Sequence, residues 1–228
     1  MSLLRRIKQS WKRKNDAVNW LNLRNTRPVS EVFGLDRGTP VDRYYIEQFL
    51  QQQAGHINGR VLEIAESTYS KKFGNGVSSY EVLHYNNENG KATIVGDLSN
   101  PGSVPENLID CFICTQTFQF IYNYKEAIAG ARRLLKKDGV LLATFPGISQ
   151  ISRYDMDRWG DYWRFTTLSA QLAFEEIFGK GKVQVDFFGN VLSTIAFLEG
   201  ISREELTTEE LNVKDPNYQL LITVVARK

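Results

Sequence analysis

Between residues 148 and 166 the chain reads ISQISRYDMDRWGDYWRFT, its densest run of side chains able to do chemistry. Guanidinium and carboxylate groups offer planar, directional hydrogen bonds, and the indole and phenol rings beside them offer stacking faces. That combination suits a sugar, or through the arginines an anionic sugar or a phosphate. On this reading Arg153, Tyr154, Arg158, Tyr162, Trp163 and Arg164 hold a ligand, and Asp155 or Asp157 is the general base. The same residues also suit a structural lid, locked by Arg–Asp pairs and packed Trp rings. A second stretch, RVLEIAESTY, runs from an apolar segment into Glu63, then Ala65-Glu66, and then the hydroxyls of Ser67 and Thr68. His56 and His84 are the only histidines, and His84 falls inside an apolar run where a structural role is expected.

These residues need a scaffold, and the hydrophobic pattern supplies one. The runs RVLEI, YEVLHY, ATIVG, LIDCFIC, VLLATF, VQVDFF and LLITVVA are rich in β-branched and aromatic residues, and turns or helical stretches separate them. TPVDRYYIEQFLQQQ opens like a helix, with Thr39 as N-cap, Pro40 at the first helical position and Asp42 in the first turn. NYKEAIAGARRLLKKDG predicts another. Asn123 caps it, Glu126 completes a capping box, Lys136 and Lys137 occupy the last turn and Gly139 ends it. TTLSAQLAFEEIFG predicts a third, capped by Thr166 or Thr167. Strands alternating with helices imply one parallel sheet covered on both faces. Such sheets bind ligands beyond the carboxyl ends of their strands. The turn after RVLEI and the polar loop after VLLATF both leave that edge.

The 228 residues divide into a basic amphipathic segment with its connector, 1–36, and a domain, 37–228. Cys111 and Cys114 are three apart in a strand and so point to opposite faces. They form neither a disulfide nor a shared metal site, and two buried thiols imply a reducing compartment. No metal ligand set is expected. No apolar run approaches the roughly 18 residues of a membrane span, so a cytoplasmic location is expected. Before Asp16 there are six Lys/Arg, with Leu3, Leu4, Ile7 and Trp11 at helical spacing. This segment is either an anchor on an anionic membrane or a partner protein, or a lid helix resting its apolar stripe on its own domain. The basic charge is confined there, which argues against a nucleic-acid partner.

From Gly59 to Lys228 the order of elements resembles the class I S-adenosylmethionine-dependent methyltransferases. The match is best in LIDCFICTQTFQFIYNYKEAIAGARRLLKKDGVLLATFPG, where Asp138 replaces a family glycine. DRWGDYWRFT and LDRGTPVDRYYIE resemble a narrower group encoded beside glycosyltransferases. The resemblance implies a Rossmann-like, seven-stranded, mostly parallel sheet with helices on both faces, and S-adenosylmethionine as cofactor. It implies an O-methyltransferase acting on a sugar, glycan or related small molecule in polysaccharide biosynthesis. The alternative is a non-catalytic module docked on a glycosyltransferase or a membrane-associated complex. Carried onto this chain, the family's pattern places Glu63 near the amino-acid end of the cofactor, with Ala65 and Ser67 in its loop. Asn86 takes the ribose position, with Glu88 as a substitute, and Asp97 and Leu98 lie at the adenine. Gln116, after the fourth strand, is a further cofactor-binding position. Two departures stand out: Asn86 replaces an acid, and Ala65 a glycine, tolerable if its φ stays negative. A base that many relatives carry after strand four is missing, since Phe120 falls near its place.

Overall fold

The computed structural model describes residues 24–228 together with Ile7 and Trp11. Seven strands form one sheet: β1 (Gly59–Ile64), β2 (Val77–His84), β3 (Ile94–Val95), β4 (Ile109–Thr115), β5 (Leu135–Pro146), β6 (Val183–Phe188) and β7 (Leu221–Arg227). Their order is β3-β2-β1-β4-β5-β7-β6, all parallel except β7, which runs antiparallel to both neighbours. This is the expected Rossmann-like α/β sheet, and the strand order reverses between β1 and β4. The helices are α1 (Val41–Gln52), α2 (Thr68–Phe73), α3 (Tyr124–Leu134), α4 (Arg153–Met156), α5 (Thr167–Phe178), α6 (Val191–Glu199) and α7 (Thr208–Asn212).

The central strands β4, β5 and β7 are buried on both faces over most of their length, which is why they read as near-continuous apolar runs. One core layer joins Phe112, Phe118, Phe145 and Phe174 beneath α3 and α5. The other joins Tyr45, Phe49, Leu50 and Ile113 beneath α1 and α6. Cys114 belongs to the first layer and Cys111 to the second, as the pleat requires. Both thiols are free and buried, and burial pushes the Cys114 thiol up to about 12, so neither is a nucleophile at neutral pH. Truncating Phe112 would open a cavity costing about 3–5 kcal/mol.

Three expected helix ends differ. α1 begins at Val41 with Pro40 as its cap, because Glu204 accepts from both the Thr39 amide and its hydroxyl. Asn123 is the N-cap of α3 but forms no side-chain cap bond. Its ψ of 58 leaves the extended region that a capping box requires. That helix also stops at Leu134, earlier than the lysines suggested. Leu135 turns extended and pairs with Ile109, and Lys136 binds Asp110 across the sheet. The orphan carbonyls of the last turn are met from afar, by Lys228 Nζ donating to Arg133 O and Leu135 O. α5 starts as expected, with Thr166 the cap and Ser169 its reciprocal partner.

The connector packs on the domain at Ser30, whose amide donates to Glu199 O, and at Phe33, whose ring lies 5.8 Å from that of Phe197. Ile7 and Trp11 are helical and exposed, at 57% and 68%. Leu3, Leu4 and the basic side chains of that segment lie outside the described residues. Among the described residues no helix is long and apolar enough to cross a membrane.

Candidate functional site

A cavity of about 550 Å³ opens at the carboxyl edge of β1, β4 and β5, within the size range of small-molecule sites. Its floor is Glu63, Ile64, Ala65, Ile113, Thr115 and Gln116. α1 and the connector supply one wall through Phe33, Leu35, Asp42, Arg43 and Ile46. The segment after β5 supplies the opposite wall through Ser149, Gln150, Ser152, Asp155, Asp161 and Arg164.

Glu63 is 3% exposed. One carboxylate oxygen accepts from the Ser70 amide (2.7 Å) and the Ser70 hydroxyl, the other from the Tyr69 amide (2.9 Å). Burial raises its pKa, against the pull of those donors. Three of four lone-pair sites are taken, which leaves one acceptor for a donor in the cavity. Glu63 therefore anchors α2 and keeps one valence free.

Ala65 adopts φ +65°, the reverse of the negative φ expected from its methyl group. The turn after β1 needs the left-handed region, and the tertiary structure imposes it despite the Cβ. Two hydrogen bonds hold it there: Ala65 N donates to Leu83 O, and Asn89 Nδ2 donates to Ala65 O at 2.8 Å. Gln116 shares this conformation at φ +46°, with its amide donating to Thr144 O.

Asn86, Asp97, Leu98 and Ser67 do not line the cavity. Asn86 Oδ1 accepts from the Glu88 amide in a local turn, while Asn89 and Lys91 reach the cavity instead. Asp97 caps its own turn, accepting from the Ser99 amide and hydroxyl, and Leu98 is core beneath Gly130. Ser67 precedes α2 without a side-chain cap bond, and Thr68 beside it lines the cavity.

The Arg–Trp–Tyr segment divides in two. Asp161, with its side chain 2% exposed, pairs with both terminal nitrogens of Arg164 at 2.5 and 3.0 Å. Arg164 also donates to Gln150 O and Trp163 O, so its guanidinium fastens the loop and has little left for a ligand. Asp155 lines the cavity with one oxygen on the Ser152 hydroxyl (2.6 Å). Asp157 points outward and pairs with Arg153 at 3.6 Å. Arg158 stacks on Tyr154 at 3.5 Å, also outside. Tyr162 and Trp163 pack against Tyr122, with Trp163 Nε1 donating to Tyr122 O. Trp159 meets Tyr85 edge-on at 4.8 Å and also faces His84, which ties the segment to the end of β2. His84 is thus a packing residue of the lid.

Among the cavity residues that the sequence did not mark as site residues are Asp42, Arg43, Gln119 and Asn89. Gln119 is 3% exposed, and its Oε1 is buried with no partner, while its amide nitrogen donates to Gln116 Oε1. A buried acceptor without a donor costs about 1–3 kcal/mol, and a ligand N–H or O–H would supply the missing bond. Burial pushes the Asp42 carboxyl up to about 6. Five carboxylates and three basic side chains line the cavity, a balance that favours a ligand with net positive charge. Among the described residues no cluster could hold a metal ion.

Residues 52–143 match the family described as "Methyltransferase domain". No curated protein matches the chain at a significant level. Solved structures resemble it at low identity. A SAM-dependent methyltransferase from Archaeoglobus fulgidus is 15% identical over 82% of this chain and 94% of its own, with a TM-score of 0.52. The N-methyltransferase NodS from Bradyrhizobium japonicum, in complex with S-adenosyl-L-homocysteine, is 13% identical over 87% and 93%, TM-score 0.51. The [4+2]-cyclase SpnF is 13% identical over 84% and 83%, TM-score 0.51. The chain has the fold of these methyltransferase structures, and the methyltransferase-domain match falls on residues 52–143 of it.

Proposed function

We propose that the protein transfers a methyl group from S-adenosylmethionine to a hydroxyl of a sugar, glycan or related small molecule. The observation that carries this reading is one cavity that joins two chemically different groups of lining residues. On one side lie Glu63 and the left-handed turn at Ala65; on the other lies the polar wall of Ser149, Gln150, Ser152 and Asp155. The residues present fit the cofactor, and that NodS binds S-adenosyl-L-homocysteine on the same fold supports its use here.

The cofactor supplies a sulfonium already activated for methyl transfer, so alignment in a dry site gives most of the rate. Glu63, with one lone pair left, would hold the α-ammonium. Arg43, exposed in the cavity wall and in no ion pair among the described residues, suits the α-carboxylate. The acceptor hydroxyl meets Asp155, whose second carboxylate oxygen is free to take the proton as the new C–O bond forms. Ser149 and Gln150 offer further hydrogen bonds to a polyol. Trp159, packed on Tyr85 and His84, ties this segment to the end of β2.

The test is transfer of radiolabelled methyl from S-adenosylmethionine to a panel of sugars and cell-surface glycan fractions. Label should enter a saccharide, and Asp155→Asn should slow it about 10²-fold or more while leaving S-adenosylhomocysteine affinity nearly unchanged. Absence of cofactor binding at millimolar concentration would favour the non-catalytic docking module. Exposure of Ile7 and Trp11 supports a further proposal, that the basic segment engages an anionic membrane near a glycosyltransferase.

A further inference from the structure

We infer that Asp42 forms a cation subsite in this cavity, its carboxylate being the counter-charge for a sulfonium or ammonium group of the bound ligand. The inference rests on the reading of the cavity as a cofactor site and adds a wall that the turn after β1 does not supply.

Asp42 sits in the first turn of α1, where the helix dipole and an adjacent amide favour the ionised form. Its Oδ1 indeed accepts from the Arg43 amide at 2.7 Å. Burial nevertheless outweighs both and lifts the carboxyl to about 6. The groups around it explain why. On its own helix stand Arg43, whose attraction is too weak to reverse the effect, and Glu47, which is committed to Lys72 of α2. α2 also brings Tyr69, a phenol pushed up to about 12 by burial and so neutral throughout. β1 brings Glu63, a second carboxyl and a buried one. α6 and β7, also packed on α1, carry only Glu199 and Arg227 as charged residues. Neither Asp42 nor Glu63 joins an ion pair among the described residues, although both line one cavity. Two carboxyls on one cavity with no paired cation among the described residues, Glu63 buried and Asp42 half-buried, repel each other, and a cationic ligand between them removes that cost.

The sign follows. Free Asp42 is protonated below about pH 6, and only the ionised form attracts a cation. Affinity for the cation therefore rises as pH climbs from about 5 and levels off near neutrality, a gain of roughly tenfold. Calorimetry with S-adenosylmethionine and S-adenosylhomocysteine at about pH 5, 6 and 7.5, on the wild type and on Asp42→Asn, reads this directly. The two ligands differ in the methyl group and in the charge at sulfur. A pH slope with S-adenosylmethionine alone assigns Asp42 to the sulfonium, and a slope with both assigns it to the ammonium. In either case Asp42→Asn should lose most of the slope and Asp42→Glu should keep it. Equal slopes in wild type and Asp42→Asn, with binding intact, would overturn the subsite and leave the cofactor reading standing. No binding of either ligand at any pH would end both.

Discussion

At the scale of single residues, the cavity is built from side chains held in states that folding alone does not favour. Ala65 occupies a backbone region suited to glycine, Gln119 keeps an orphan acceptor and Asp42 keeps an unneutralised carboxyl. Strain and unmet polarity of this kind collect where a ligand completes the structure. Asp42 allows a test independent of any ligand. Its folded pKa, about 6, lies above the ordinary 3.8, so the unfolded chain holds fewer protons in the window between those values. Stability therefore falls as pH rises through that window, and the ionised group costs on the order of 1–3 kcal/mol at neutral pH. Asp42→Asn should raise the melting temperature at pH 7.5 and leave it unchanged near pH 3.5. An equal effect at both pH values would mean that the charge of Asp42 is not what burial opposes.

At the scale of elements, the 148–166 segment is a fastened lid with one polar face on the cavity. Arg164 and Asp161 are its buried clasp, and Trp159 against Tyr85 is its outer contact. Arg164→Ala leaves Asp161 buried and unpaired and should cost about 3 kcal/mol, seen as a lower melting temperature with both ligands weakened together. Trp159→Ala removes only the contact over β2. It should weaken S-adenosylhomocysteine several-fold while the melting temperature changes little. The reverse pattern would mean that Trp159, not the clasp, holds the segment. The strands were legible because a sheet buried on both faces writes its burial into local apolar runs. Glu63 was legible for the same reason, as the acid that ends the first run. The helix ends at Pro40 and Leu134 were not, since Glu204 and Lys228 settle them from more than 90 residues away. Asp42 read only as a first-turn acid, because the cavity it shares with Glu63 and Thr68 is assembled from β1 and α2, distant in sequence.

At the scale of the whole molecule, charge is divided between the amino-terminal segment and the body. The chain carries 28 Lys/Arg and 26 Asp/Glu, a net +2. Six of those bases and one acid precede Arg24, so the body alone carries 22 bases and 25 acids, a net −3. An acidic body is repelled by an anionic bilayer, and attraction to such a surface must come from the segment. Each Lys or Arg near an anionic surface contributes about 1 kcal/mol, and an exposed Trp and Ile add apolar contact. Full-length protein should therefore sediment with vesicles containing phosphatidylserine and stay in solution with purely zwitterionic ones. Raising salt from about 0.1 to 0.5 M should release it, as the Debye length shrinks from about 10 Å. A chain starting at Arg24 should lose vesicle binding yet bind S-adenosylhomocysteine as before, because among the described residues those that wall the cavity run from Phe33 onward. If the truncated chain lost the cofactor as well, the segment would be part of the site's cover. If full-length protein ignored anionic vesicles at low salt, the basic charge would have to serve a protein partner instead.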